Sequence, residues 1–398
     1  MSKSLLLILS PNKFREFDWL RFELSLIEKE YNADIKIHDM SSVMFSDPRK
    51  VFPGALKDNR IAEYNSFKKW KKDFRKILKV YNSKLLVLNF VKIDSFFSFL
   101  VNFELKKSKV KVIEHSSTQH PMPKIDTSVP ILIRKLFICI RNPKIVKFFL
   151  SSKFFKFLGN NLNLFPTYSI KSGSEGFPNH YYKKNIKVIE GNSYDYSMYL
   201  NSKKNSFQTI KDDYALFIET PGPLFHGDNI IRGLNMREVF TAENWFPPLT
   251  NFFNHLEDLL KLKVKIAPHP KSLHKKFPDY YGNREVIDEK LAVAAGSAKV
   301  LISKNSTGLS FGVFYKKPII LVISNELKSY DAENNVSNSF AKELGVELLN
   351  INEPFDPKKI LKSMRFNNLK YEEYKSRYLT SRKDEKPNYK IIGDLLNF

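Results

Sequence analysis

Two runs of alternating apolar strands and amphipathic helices predict an α/β chain with two domains, each built on a parallel sheet. One run precedes a polar stretch near residue 201 and the other follows it. A strand, a helix and a further strand in sequence imply a crossover connection and therefore parallel pairing. With 398 residues, the chain is long enough for two separate hydrophobic cores. We expect two open sheets that face each other across a cleft.

The N-terminal half contains short apolar runs, which predict strands, and stretches with apolar residues at helical spacing, which predict helices. The predicted strands are Leu5–Ser10, Asp34–Met40, Lys84–Phe90, Lys109–His115 and Ile186–Ile189. The predicted helices are Phe14–Glu30, Ile61–Tyr81 and Asp94–Leu105, and an apolar, basic run over 129–162 is expected to form two more helices divided at Pro143.

The C-terminal half repeats the pattern. Its predicted strands are Tyr214–Glu219, Lys263–Ala267, Lys299–Ser303, the apolar run after Pro318, and Val346–Ile351. Its predicted helices are Pro248–Leu262, one before Lys299, Gly308–Tyr315, Ser329–Leu344, Pro357–Arg365 and Tyr371–Ser381. The two halves therefore share an architecture without an evident sequence repeat.

The domain boundary is placed at a polar, basic stretch without periodicity. Residues 1–200 form the N-terminal Rossmann-like domain, 201–212 the linker, and 213–370 the C-terminal Rossmann-like domain. Residues 371–398 are predicted to be C-terminal helices that cross back towards the first domain.

A segment over 127–174 contains no acidic residue, while phenylalanine and leucine alternate with lysine. Such a segment can lie on an anionic bilayer or bind an acidic glycan. The alternative is a pair of core helices with solvated lysines. The residues predicted to contact the acceptor or the membrane are Arg134, Lys135, Arg141, Lys144 and Lys147.

The composition limits the class of protein. A hydrophobic content of 42% and a net charge of +23 describe a basic globular protein, whose partners can be nucleic acid, an anionic membrane or an acidic substrate. A single cysteine, Cys139, excludes an internal disulfide and favours the cytosol. The apolar run near the N-terminus is too short for a signal peptide, and no run of transmembrane length is found.

Polar residues follow two strands of the predicted C-terminal sheet. His269 lies between two prolines after Lys263–Ala267, and hydroxyl side chains follow Lys299–Ser303 and open a helix. Loops at the carboxyl ends of parallel strands border the ligand crevice, and a helix start binds anions through its free N–H groups. We predict that this region binds the phosphate of a nucleotide. The candidate residues are His269, Pro270, Ser303, Lys304, Asn305, Ser306, Thr307 and, in a Gly/Pro turn, Gly222.

The order of these motifs resembles a known family. A His-Pro pair, then Ser306-Thr307 opening a helix, then Lys317-Pro318 before an apolar strand is similar to the bacterial GT-B glycosyltransferases of surface polysaccharide biosynthesis. The sialyltransferase/polysialyltransferase and capsule Kdo-transferase groups are the most similar. The motif resemblance covers Lys263–Ser324 and implies a GT-B fold in which the N-terminal domain binds the acceptor. It also implies that His269, Ser306 and Thr307 contact the donor phosphate.

The resemblance implies a metal-independent glycosyltransferase that needs no cofactor and acts on a nucleotide sugar. The expected reaction moves an acidic nonulosonic or Kdo-type sugar from a CMP donor to a surface glycan or glycolipid. Alternatives are a UDP-, dTDP- or GDP-sugar or CDP-glycerol donor, or a non-enzymatic protein that binds RNA or membrane. Because no nucleic-acid-binding motif is found, nucleic acid is not expected as a partner. The expected location is the cytoplasm, with peripheral contact to the inner face of the membrane.

The catalytic base is not fixed by the motifs. The family carries an acidic motif ending in glycine that this sequence lacks. Glu114 and His115, at the end of the predicted strand Lys109–His115, are candidates for deprotonating the acceptor, and Glu219 is a third. No metal-binding spacing is found.

Overall fold

The computed structural model describes residues 3–45, 54–117, 121, 143–175, 186–204, 213–225, 240–272, 278–287 and 290–397. Within these ranges the chain forms two parallel sheets covered by helices. The predicted α/β class with two sheets is confirmed.

The N-terminal sheet has seven strands in the order β3-β2-β1-β4-β5-β6-β7. Its first strands are buried apolar runs, as expected for a parallel sheet with both faces covered. Because the chain leaves β1 on one side and returns on the other, the topological switch point lies between β1 and β4. The strands are β1 Leu5–Ser10, β2 Asp34–Asp39, β3 Ile61–Glu63, β4 Leu85–Asn89, β5 Lys111–Ser117, β6 Tyr168–Ser172 and β7 Lys187–Gly191.

The helices of the N-terminal half depart from the sequence prediction in two places. The predicted helix Phe14–Glu30 is two helices, because Glu23 adopts a left-handed conformation (φ 56°) and turns its buried carboxylate to Ser197. The predicted helix Ile61–Tyr81 starts as an edge strand, and the helix begins after Ser66, whose hydroxyl accepts from the third amide. The helices are α1 Glu16–Arg21, α2 Leu24–Tyr31, α3 Ser41–Met44, α4 Phe67–Tyr81, α5 Phe96–Lys107, α6 Pro143–Asn161 and α7 Tyr194–Lys204, with a 3-10 turn at Asn82–Lys84.

The C-terminal sheet has five strands in the order β12-β11-β10-β8-β9. Its switch point lies between β8 and β10. The strands are β8 Tyr214–Ile218, β9 Lys263–Ala267, β10 Val300–Ser303, β11 Ile319–Ile323 and β12 Leu348–Asn350. The helices are α8 Ala242–Leu260, α9 Leu291–Ser297, α10 Ser310–Tyr315, α11 Asn325–Ser329, α12 Asp331–Leu344, α13 Pro357–Ser363, α14 Asn368–Tyr374 and α15 Asn388–Leu396, with 3-10 turns at Pro278–Tyr281 and Thr307–Leu309 and a π turn at Lys375–Leu379.

Helix α7 joins the two halves. It follows β7 and packs on α9 and α10 of the C-terminal half, where Tyr196 and Tyr199 each lie 4.9 Å from the ring of Phe314. The predicted linker 201–212 therefore begins inside a helix, which is held by hydrogen bonds such as that from Asn201 to Glu23. Residues 205–212 of that linker lie outside the described ranges.

The last helix, α15, packs on α2 of the N-terminal half. The hydroxyl of Tyr31 donates to Asp394 at 3.1 Å, and that of Tyr389 donates to Glu30 at 2.8 Å. The chain thus passes between the two halves a second time, after the π turn. None of the described helices is long and apolar enough to cross a bilayer.

Candidate functional site

Three loops lie side by side at the carboxyl edge of the C-terminal sheet. The register pairs Ile218 with Ala267 and Phe217 with Ile302, so β9, β8 and β10 end at the same level. We call the residues that follow them the strand-end site: Glu219–Gly222, Pro268–Ser272 and Ser303–Thr307. Two of these loops border the switch point, where α/β proteins bind ligands.

Glu219 is buried, with 4% of its surface exposed, and its carboxylate organises the strand-end site. It accepts hydrogen bonds from the backbone N–H of His269 (2.7 Å), the hydroxyl of Ser272 (2.5 Å) and the hydroxyl of Tyr281 (2.5 Å). Burial, together with the negative charge of Glu219, raises the pKa of Tyr281 well above its ordinary value. Glu219 was predicted as a candidate base. These contacts show that its carboxylate also holds the His269 loop in place.

His269 is half-buried, and its Nδ1 accepts from the backbone N–H of Lys271 at 3.1 Å. Since a backbone amide can only donate, Nδ1 carries no proton, and a neutral ring has its proton on Nε2. Pro268 and Pro270 restrict the backbone on both sides. A neutral ring in this loop therefore has its N–H donor on Nε2, a kind of group that can bind an oxyanion.

The loop after β10 is held by internal contacts. The hydroxyl of Ser303 donates to the carbonyl of Ile218 at 2.8 Å and fastens β10 to β8. Lys304 and Asn305 both donate to Glu333 of α12, at 2.7 and 3.1 Å. These three residues, predicted to contact a donor, thus already have partners within the protein. Gly222 precedes Pro223 through a cis peptide bond in the neighbouring turn.

Ser306 caps the helix that begins at Thr307, because its hydroxyl accepts from the N–H of Gly308 at 3.1 Å. The carboxyl group of Asp195, which belongs to α7, lies near the hydroxyl of Thr307, which acts to lower its pKa. The helix start of the C-terminal half is therefore close to the first turn of the helix that follows β7. The predicted phosphate site therefore has a carboxylate beside it.

Asp195 is a residue that the sequence analysis did not select. It is 8% exposed, and its burial raises the pKa of the carboxyl group, while the charge of Arg21 and the hydroxyls of Thr307 and Ser310 act in the opposite direction. Asp195 lies four residues after the end of β7. Because acidic residues at the carboxyl ends of parallel strands face the ligand crevice, this position could have indicated it from the sequence.

Glu114 and His115 lie in the middle of β5 and not at its end. The strand continues because Ser116 and Ser117 pair with Lys171 and Ser172 of β6. Neighbouring residues on a strand point to opposite faces of the sheet. The expectation that both side chains lie at the carboxyl edge is therefore wrong.

His115 is covered by Tyr194, whose ring stacks on it at 4.1 Å. Its Nε2 donates to the carbonyl of Asn192 at 2.9 Å, and its Nδ1 has no hydrogen-bond partner among the described residues. Burial lowers the pKa of His115 to about 4. The ring is neutral at pH 7 and is a weak base.

Glu114 lines a cavity of about 1190 Å³ on the other face of the sheet, between α5 and α6. The cavity contains several positive charges around this one acid. The lysines that line it are Lys92, Lys106, Lys109, Lys156 and Lys187. A cavity of this composition suits an anionic ligand.

The residues predicted to contact the acceptor or membrane fall largely outside the described ranges. Arg134, Lys135 and Arg141 lie outside them, and Lys144 and Lys147 belong to α6 but their side chains are not described. In the part of the chain that is described, no three His, Cys, Asp or Glu side chains converge on a metal position. Both the acceptor contacts and the metal-free reaction stay predictions.

Comparison with known proteins gives the fold. No protein-family model matches the chain, and no curated protein matches its sequence. A Listeria monocytogenes protein named as a UDP-N-acetylglucosamine 2-epimerase is 11% identical with a TM-score of 0.50, and the match covers 98% of this chain and 95% of that one. A variant of the wall teichoic acid polymerase TagF is 12% identical with a TM-score of 0.50, over 99% of this chain and 88% of that one.

A third structure, MurG of Acinetobacter baumannii, is 12% identical with a TM-score of 0.45, over 100% of this chain and 99% of that one. At these identities the matches concern the fold alone. Two parallel sheets, the strand orders and the near-complete coverage by structures of this type give the chain the GT-B fold.

Proposed function

We propose that the protein is a GT-B transferase that moves a sugar or a related group from a nucleotide-activated donor to an acidic acceptor. The observation that carries this proposal is the His269 loop. Its backbone is held by the buried carboxylate of Glu219, and its imidazole, whose Nδ1 accepts from the backbone of Lys271, belongs to a loop at the carboxyl edge of the sheet. A donor fixed in advance where negative charge develops is what the departure of a phosphate requires.

In this reaction the C-terminal half binds the donor. His269 donates to the phosphate that leaves, and Ser306 and Thr307 bring the positive end of their helix to the same oxygens. Lys304 adds positive potential, although its ammonium group is already paired with Glu333. No metal is needed in this scheme, so transfer should continue in the presence of a chelator.

Asp195 is our first choice for the base that deprotonates the acceptor. Support comes from its place near Thr307 at the helix start and from burial, which raises its pKa and makes the carboxylate more basic. Glu114 is the alternative, supported by its place in the lysine-lined cavity. Asp195→Asn should bind donor at least as tightly as the wild type and lose transfer. Glu114→Gln with unchanged transfer would remove Glu114 from consideration, whereas its loss of transfer would favour Glu114.

The acceptor is proposed to be anionic because the cavity of the N-terminal half is lined by five lysines and one glutamate. An acidic glycan or a phosphorylated acceptor fits this charge. Lys156→Glu should raise the KM for the acceptor and leave that for the donor unchanged. Lys328→Glu, at an exposed lysine of the C-terminal half, is the matched control.

The donor is proposed to carry a pyrimidine nucleotide. The motif resemblance favours a CMP-linked acidic sugar, and UDP-, dTDP- or GDP-sugars or CDP-glycerol are the alternatives. The name of one protein with the same fold refers to a UDP-sugar, so uridine diphosphate belongs in any test.

A thermal-shift panel of CMP, CDP, UMP, UDP, dTDP and GDP tests the proposal. A nucleotide at a hundred times its dissociation constant stabilises the fold by about 2.7 kcal/mol. We expect one pyrimidine nucleotide to raise the melting temperature and His269→Ala to abolish the effect, while His255→Ala on α8 keeps it. If no nucleotide shifts the transition and a polynucleotide binds with steep salt dependence, the chain is a nucleic-acid binder instead.

A further inference from the structure

Helices α5 and α6 present an apolar surface to solvent. More than half of the exposed large apolar side chains in the described part of the chain lie on these two helices. Phe149, Phe154 and Phe157 of α6 are 56%, 55% and 62% exposed. We call this the α5–α6 surface, and its members are Phe96, Phe97, Phe103, Phe149, Leu150, Phe154 and Phe157.

The surface is continuous across the two helices. The ring of Phe155 lies 6.1 Å from Phe96 and 5.8 Å from Phe99 of α5, and Phe154 lies 5.2 Å from Phe155. Leu150, Phe154 and Phe157 recur at helical spacing and form a stripe on α6. Soluble monomers seldom expose large continuous apolar patches, and an exposed patch of this kind marks an interaction surface.

Most charges around the α5–α6 surface are positive. Lys153 and Lys156 lie within the apolar stripe of α6, and Lys106 and Lys107 end α5. The exception is Asp94, just before α5, whose charge interacts with that of Lys156. No acidic residue occurs from 143 to 174. The acid of α5, Glu104, is buried and paired with Lys71 and Arg75 of α4. Long lysine side chains beside aromatic rings can extend to the phosphates of a lipid headgroup while the rings enter the bilayer.

These observations decide whether the α5–α6 surface binds a second copy of the chain or an anionic bilayer. A second copy of the same surface would bring like charges together, which disfavours a symmetric dimer. An anionic bilayer provides both the apolar layer and the opposite charge. We propose that the α5–α6 surface docks the protein on an anionic membrane. The proposal does not depend on donor binding by the C-terminal half. It narrows the prediction for the segment 127–174, whose named contacts were Arg134, Lys135, Arg141, Lys144 and Lys147, to α6 and adds the exposed rings of α5.

Cosedimentation of the full chain with vesicles tests the proposal. We expect the wild type to bind vesicles of phosphatidylcholine with phosphatidylglycerol, to bind pure phosphatidylcholine weakly, and to lose affinity as salt rises. Phe154→Asp with Phe157→Asp should lower the partition coefficient at least about tenfold per phenylalanine. Lys153→Gln should lower it about fivefold. Leu369→Asp, at a 76% exposed leucine of α14, is the matched control and should bind like the wild type.

Four results would overturn the proposal: no binding of the wild type to anionic vesicles, equal binding to neutral ones, unchanged binding of the double variant, or a wild-type dimer that the double variant dissociates. A melting temperature of the double variant far below that of Leu369→Asp would show that the surface is covered within the chain. If the double variant does not fold, vesicle binding is measured with Phe157→Asp alone. Nucleotide binding should be the same in all these variants. A failure of the wild type to bind any nucleotide would therefore count against the transferase proposal and not against the membrane proposal.

Discussion

The carboxylate of Glu219 is the most testable part of the strand-end site. Its three donors converge from the His269 loop and from Tyr281, 62 residues further along the chain. Removing the carboxylate with Glu219→Ala leaves these donors without their acceptor in a buried site. Each such group costs about 1–3 kcal/mol, and relaxation of the loop reduces the sum, so we expect a loss of about 2–4 kcal/mol in the free energy of unfolding.

Glu219→Gln keeps the shape and removes the charge. One amide oxygen can still accept from His269 and Ser272, and the amide nitrogen can donate to the hydroxyl of Tyr281. Two charge-assisted hydrogen bonds become neutral ones, which costs about 1–2 kcal/mol. Urea denaturation measures both variants, with an unchanged slope showing that the two-state comparison is valid.

Calorimetric titration with the nucleotide found in the panel completes the test. We expect Glu219→Ala to weaken nucleotide binding about tenfold, which corresponds to about 1.4 kcal/mol, because the His269 loop is no longer held. Glu257→Gln is the matched control, since Glu257 accepts from the backbone of Val264 at the other end of β9. It should lose stability and keep nucleotide affinity. Unchanged stability and nucleotide affinity in Glu219→Gln, with transfer abolished, would refute this reasoning and make Glu219 the catalytic base.

Three further predictions concern the joint between the halves. Burial raises the pKa of Asp195 above its unfolded value, so its ionisation costs stability as pH rises through the carboxyl range. The difference in free energy of unfolding between Asp195→Asn and the wild type should therefore shift in favour of the variant from pH 4 to pH 8, as measured by urea denaturation at both pH values. The same difference at both pH values would contradict this. Burial lowers the pKa of His115 to about 4, so NMR at pH 6 should show a neutral ring protonated on Nε2. In Gly393→Ala, the new methyl group would lie 2.3 Å from the ring of Tyr31; we expect a loss of about 1–3 kcal/mol and faster proteolysis of α15, unless the ring moves aside.

Much of the fold could be predicted because buried parallel strands are almost continuously apolar. β1, with the sequence LLLILS, was predicted with its observed bounds, and β11, with the sequence IILVI, was predicted as the apolar run after Pro318. β3 and β6 were missed because they lack such an apolar run. β3 is a three-residue edge strand, and β6 has the sequence YSIKS, in which a single isoleucine lies among more polar residues. Their pairing depends on neighbouring strands and not on local pattern.

The site was predictable only as far as local geometry decides it. A histidine between two prolines after a strand indicates a fixed donor, and Ser306 before Thr307 indicates a helix cap. The partners that give these residues their roles lie far away in sequence. Lys304 contacts Glu333, 29 residues later, and this ion pair cannot be read from either segment alone.

Asp195 shows why the base was the hardest residue to assign. The helix start at Thr307 attracts anions, and in this structure a carboxylate from the other half lies there. A bound donor phosphate would add a second negative charge close to the first, which raises the basicity of the carboxylate further. The same repulsion means that Asp195→Asn should tighten donor binding while it removes transfer, a combination that a purely structural residue would not give. Weaker donor binding in this variant would make Asp195 a support of the site and leave Glu114 as the candidate base.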